Sequence, residues 1–231
     1  MITHGLHTGT QIAFASIKHF VGELLFERRY GVRTSGNLIL DRHDAENICY
    51  TPMNWRQLRW ALPANSVTNQ DVFLDVGSGK GRAVLVAAID YPFARVIGVE
   101  LIKELHEIAE RNLVAATRRL RSAKVELICA DLRAYQIPDD VTVIYMNNPV
   151  RGPIFERVLS GLSESMKRSP RRMRLIYYNP LEEDALLATG EWRKVRTIMP
   201  RGRKANWPYG TTCVYECSGS CGYRGSLVAV R

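Results

Sequence analysis

The sequence predicts an α/β protein: a seven-stranded, mostly parallel sheet with helices on both faces, an antiparallel last strand and a helical N-terminal region. Three observations point there. From residue 71 onward, short apolar runs alternate with amphipathic helical stretches, the pattern of parallel strands joined by helical crossovers. The first of these runs passes straight into a glycine-rich turn and then a helix. The chain has 231 residues, 46% apolar and 24% charged, which suits one well-buried domain.

Residues 11–29 repeat apolar side chains at helical spacing, and 30–47 read as an irregular connection. Residues 54–62 form a short helix ended by Pro63, with Trp55 and Trp60 as core aromatics. Strands follow over 72–76, 95–100, 125–131 and 141–147, with helices over 83–88, 102–120 and 154–166 between and after them. A fifth strand covers 174–178, a helix 181–188, and strands over 192–199 and 211–217 form the closing antiparallel hairpin. This divides the chain into an N-terminal helical cap region (1–70), the sheet domain (71–217) and a Gly/Ser-rich tail (218–231) expected to be poorly ordered.

The turn Asp75-Val76-Gly77-Ser78-Gly79-Lys80-Gly81-Arg82 decides what the sheet holds. A strand, a tight turn and a helix N-terminus together bring bare backbone against a nucleotide-like ligand. A dinucleotide fingerprint needs Gly or Ala where Arg82 stands, and a P-loop needs a longer loop before Gly-Lys-Ser/Thr. What remains, Asp-x-Gly-x-Gly-x-Gly, resembles the first motif of class I S-adenosylmethionine (SAM) dependent methyltransferases, which have a Rossmann-like fold. Glu100 lies 19 residues past Gly81, close to the spacing at which an acid takes a ribose hydroxyl pair. Asp131 suits either the exocyclic amine of adenine or a helix N-cap. The resemblance implies SAM as cofactor and S-adenosylhomocysteine as product. The candidate cofactor residues are Asp75, Gly77, Ser78, Gly79, Gly81, Glu100, Leu101, Ala130, Asp131, Leu132 and Asn147, with Tyr50 and Thr51 from the segment before the sheet.

The end of the fourth strand narrows the resemblance. Amino-group methyltransferases place hydrogen-bond acceptors in an Asn/Asp-Pro-Pro-aromatic element there, whereas this chain has Asn147-Asn148-Pro149-Val150. The runs Thr142 to Asn148, Phe73 to Gly79 and Gly98-Val99-Glu100 are similar to the non-SET histone lysine methyltransferases of the disruptor-of-telomeric-silencing type, which have Asn-Asn-Phe at this place. That resemblance covers roughly residues 72–150. It implies Asn147 near the methionine end of SAM and Asn148 facing the transfer site, or the reverse. The fourth and fifth strands should be neighbours, so that Asn148-Pro149 and Asn179-Pro180 emerge together, with Tyr145, Tyr177 and Tyr178 walling an acceptor pocket. Asn148, Asn147 and Tyr178 are the catalytic candidates. The expected activity is methyl transfer to an amino group, protein lysine preferred. RNA or DNA methylation, small-molecule methylation and SAM binding without turnover are the alternatives.

Composition bounds the rest. Five cysteines and no export signal lead us to expect a reducing, cytoplasmic setting, and no apolar run is long enough to cross a membrane. Cys213, Cys217 and Cys221 recur every fourth residue without matching a metal motif, so no metal site is expected and the first two should be core thiols on a strand. Residues 151–231 hold 15 Lys/Arg and seven Asp/Glu, +8 of the net +9. Their basic clusters, within 167–204, suit a nucleic-acid backbone, an acidic protein surface or plain solvation. The methyl acceptor and the oligomeric state stay open at this stage.

Overall fold

The computed structural model describes residues 24–36, 52–199 and 210–218. A helix over 24–30 (α1) and the short α2 (Gln57–Ala61) precede the sheet. Then come β1 (Val72–Val76), α3 (Arg82–Asp90), β2 (Arg95–Glu100), α4 (Lys103–Ala116) and β3 (Lys124–Cys129). β4 (Val143–Asn147), α5 (Gly152–Arg168), β5 (Arg172–Tyr178), α6 (Glu183–Ala188), β6 (Arg193–Ile198) and β7 (Thr212–Ser218) complete the order.

The seven strands run β3-β2-β1-β4-β5-β7-β6, with β7 antiparallel between β5 and β6. The chain thus starts in the middle of the sheet, builds outward through β2 and β3, and returns to the far side of β1 for β4. Such a reversal leaves a crevice at the carboxyl ends of β1 and β4, the place where open α/β sheets bind ligands.

Period-two alternation sorts the sheet into two cores. Phe73, Val96, Val143, Tyr145, Ile176 and Val214 face the layer made by α2, α3 and the N-terminal Tyr30, Val32 and Trp55. Val72, Leu74, Val76, Ile144, Met146, Leu175, Tyr177 and Tyr215 face α5, α6 and Trp192. β1 is buried on both faces along its whole length, as a central parallel strand must be. The edge strand β6 is exposed and carries Arg193, Lys194 and Arg196, charges that discourage edge-to-edge pairing.

Several sequence expectations change. The helix at 54–62 shortens to Gln57–Ala61, and Trp60 is 52% exposed while Trp55 is buried. The third strand ends at Cys129, two residues before Asp131, and the long helix gives way to a 3-10 turn, Thr117–Arg119. Cys213 and Cys217 lie in the core on one face of β7, while Cys221 and the tail beyond Ser218 lie outside the described residues. Among the described residues no helix is long and apolar enough to cross a membrane.

Candidate active site at the glycine turn

The turn after β1 is closed by its own surroundings. The N–H groups of Gly77 and Ser78 both donate to the Val99 carbonyl (3.0 and 2.9 Å), and that of Gly81 donates to the Ser78 carbonyl (2.9 Å). Gly79 N–H donates to Glu100 Oε2 at 2.7 Å. A loop that cradles phosphate keeps such groups for the ligand and avoids acids. Here four of them are spent on protein acceptors, one a carboxylate, so the turn fits a nucleoside ligand without phosphate.

Two glycines are needed for close approach. A Cβ on Gly77, at φ +74°, would lie 2.3 Å from Pro149 Cβ, and one on Gly81, at φ +80°, would lie 3.1 Å from Ala109 Cβ. The first contact joins the loop after β1 to the loop after β4 across the crevice.

Asp75 and Glu100 are the two buried acids beside the turn. Complete burial and the nearby Glu100 push the Asp75 carboxyl well above its usual range. Burial also raises Glu100, against the pull of backbone N–H donors. Besides the Gly79 bond, Glu100 Oε1 accepts from Ile102 N–H at 2.8 Å, and each oxygen keeps a second lone pair for a ligand hydroxyl. Two buried acids whose ionised forms a nearby cation would stabilise, beside a phosphate-free cradle, fit a cationic nucleoside, which is what SAM is.

The asparagines frame the other side. Asn148 has φ +46° and is buried, and the Tyr177 hydroxyl donates to its Oδ1 at 3.4 Å. Burial pushes the Tyr177 phenol up to about 12, so it remains a donor at neutral pH. Asn179, at φ +52°, accepts Gly210 N–H on Oδ1 at 2.6 Å. Asn147 and Tyr178 are register partners at the ends of β4 and β5, both half-buried. The two Asn-Pro turns therefore do emerge from neighbouring strands.

The predicted tyrosine wall is corrected. Tyr177 points to the α5 face, stacked on Phe155 with ring centroids 5.7 Å apart, while Tyr145 and Tyr178 belong to the opposite face. Adjacent strand residues cannot share a face, a signal already present in the sequence. Tyr145 pairs with Asp75 in the register, and its hydroxyl is buried without a hydrogen-bond partner among the described residues.

The remaining candidates are distributed along the same sheet edge. Leu101 is exposed beside Glu100, and Ala130 and Leu132 are half-buried beyond β3. No helix follows Asp131, so it is not a helix cap; it heads a turn in which its Oδ1 accepts Arg133 N–H at 2.8 Å, and the Arg133 guanidinium grips the carboxylate at 2.6–3.1 Å. That pairing lowers the Asp131 carboxyl below its usual value. Tyr50 and Thr51 lie outside the described residues.

Sequence reading missed Lys80 and Arg82 as anchors. Arg82 is 2% exposed; it donates to Thr34 Oγ1 (2.8 Å), Ser35 Oγ (2.9 Å) and the Met53 carbonyl (2.6 Å), and stands 4.8 Å over the Trp55 ring. Lys80 Nζ donates to the carbonyls of Ser35 and Gly36 (2.8 and 3.0 Å). Asn112 ties the Arg33 and Lys80 carbonyls together. Glu27 completes the cluster 3.6 Å from Arg82; burial raises its carboxyl, but hydrogen bonds from Thr34 and Ser35 outweigh that and leave it lowered. The glycine turn thus holds segment 32–36 as well as facing the crevice. Contacts spanning 29 to 48 residues leave no local pattern to read.

The sequence model of the family described as "Histone methylation protein DOT1" matches residues 32–184. The chain belongs to this family. A tRNA (guanine-N(7)-)-methyltransferase of Oceanobacillus iheyensis is 30% identical over 99 residues, 41% of this chain and 40% of the relative. A Methanopyrus kandleri protein named "Probable ribosomal RNA small subunit methyltransferase A" is 31% identical over 104 residues, 44% of this chain and 34% of its own length. The chain spans two fifths or less of these curated relatives. Among solved structures, the pyocyanin biosynthetic protein PhzM superposes with a TM-score of 0.50 at 16% identity, covering 71% of this chain and 54% of that one, a likeness of fold. The fold is that of the class I SAM-dependent methyltransferases, and SAM is the cofactor.

Proposed function

We propose that this chain transfers a methyl group from SAM to an amino group, with a protein lysine as the acceptor. The observation that carries the reading is Asn147-Asn148-Pro149 seated against Gly77 at the crevice, in a chain of this family. Bound SAM supplies a methyl already activated on a sulfonium. The residues of the chain have to hold the cofactor, exclude water and point a neutral amine lone pair along the S–CH3 axis. Glu100 and Asp75 suit the first task. The carboxamides of Asn147 and Asn148 close β4 where an incoming amine would lie, Asn148 is fixed by Tyr177, and Tyr178 borders the same strand end.

RNA is the second reading, favoured by the two curated relatives, whose names describe tRNA and ribosomal RNA methylation. The test is transfer of labelled methyl from SAM into a cell extract divided between protease and nuclease. Label lost to protease is the expected result. Label lost to nuclease would replace lysine by RNA, and SAM binding with no macromolecular label would leave a small-molecule acceptor or a binding scaffold.

A further inference from the structure

The sequence concentrates positive charge after residue 151, yet the described basic residues there are largely engaged. Arg168 pairs with Asp139 (2.8 Å), Arg172 and Arg193 with Glu216 (2.9 and 3.7 Å), and Lys194 with Glu183 (2.8 Å). Arg171 is spent on the carbonyls of Val141 and Ser169 (2.6 and 2.8 Å).

A second basic region lies where α1 meets the end of α4. The guanidiniums of Arg29 and Arg119 each stand 5.5 Å from the centre of the Tyr30 ring. Gly31 packs against Ala115, a Cβ there lying 3.9 Å away, and the Asn112 side chain binds both backbone groups of Arg33. Arg111 and Arg118 flank Ala115 along the same helical stripe. All five arginines are exposed, and none has a carboxylate partner among the described residues. Two of the three acids of α4 pair one turn back, Glu107 with Lys103 (4.0 Å) and Glu110 with His106 (3.4 Å).

We propose that this arginine face, Arg29, Arg33, Arg111, Arg118 and Arg119, binds the phosphate backbone of RNA. Guanidinium forks match phosphate oxygens two at a time, and among the described residues the five have no carboxylate to displace. A protein partner would need an apolar centre to the patch, and among the described residues its two helices expose only Val114, Leu24 and Leu25 as large apolar side chains. Segment 32–36 leads from the face to Lys80 in the glycine turn, so RNA held here reaches toward the crevice. The binding is independent of which group is methylated.

The experiment is fluorescence anisotropy of the full chain with a labelled mixed-sequence single-stranded RNA, as a function of salt. The triple variant Arg111→Glu, Arg118→Glu, Arg119→Glu should weaken binding at least about tenfold and reduce the salt slope by about 2. Arg172→Glu with Arg193→Glu, on the paired face, should leave it unchanged. SAM affinity in the triple variant should equal that of the parent chain, which separates this proposal from the methyltransferase reading. Equal RNA binding by the triple variant, tighter binding of DNA of the same sequence, or tighter binding of polyglutamate than of RNA would each overturn it.

Discussion

The carboxyl ends of β1–β2 and of β4–β5 face one crevice but are built in opposite ways. The first is a turn whose N–H groups are all but used up on Val99, Ser78 and Glu100, with two buried carboxylates behind it. The second is a pair of Asn-Pro turns at positive φ, each asparagine held by few side-chain bonds. Left-handed backbone costs most non-glycine residues about 1–2 kcal/mol, and asparagine visits it more readily than the rest because its short amide can bond locally. The difference teaches that the β1–β2 end is preformed by hydrogen bonding, whereas the β4–β5 end rests on two asparagines in an uncommon backbone conformation.

Substitutions can break that comparison or sharpen it. Gly77→Ala strikes both sides at once, through its φ of +74° and the 2.3 Å approach to Pro149. A loss of about 3–5 kcal/mol in stability, read from denaturant unfolding, is expected. Arg82→Met should cost about 3 kcal/mol by leaving Glu27 and the Thr34–Ser35 segment without their buried cation. A parent-like melting temperature would show that the N-terminal segment is not anchored through the glycine turn.

Glu100→Ala should weaken SAM binding in calorimetry by one to two orders of magnitude, about 1.5–3 kcal/mol, with unchanged affinity removing Glu100 from the site. Asn148→Gly keeps the backbone relaxed and should lower turnover far more than SAM affinity. The reverse pattern would move Asn148 to the cofactor side and erase the contrast.

The smallest effect is a pH slope. Because the Asp75 carboxyl is raised in the folded state, its contribution is full at low pH and is lost as pH rises through the raised value. Melting temperature without ligand should fall as pH climbs beyond the usual carboxylate range. Asp75→Asn should flatten that fall, and an unaltered profile would place the strain elsewhere.

Much of this was legible in the chain itself. The glycine turn announced β1 and α3, and the polar residues closing successive runs announced the strand ends, because parallel strands buried on both faces read as apolar runs. The grouping of Tyr145 with Tyr177 failed against alternation, which separates Tyr177 from Tyr178. Asp131 was open between ligand and helix cap; no helix follows it, and Arg133 two residues later pairs with its carboxylate. A count of charges after residue 151 could not show that Asp139, Glu183 and Glu216 would neutralise them across the fold. Nor could it show Arg82, whose partners come from segments that only the finished fold brings together.

The insertion of β7 between β5 and β6 has a consequence for biogenesis. β6 touches the sheet only through β7, and Gln57 in α2 donates to Thr212 at its start, across 155 residues of sequence. On a ribosome, the outer edge of β5 therefore waits bare, and α2 lacks its partner, until residues 212–218 have left the exit tunnel. β7 acts as a keystone, and release of a chain cut short before it would yield an open-edged sheet that recruits other strands in place of its own.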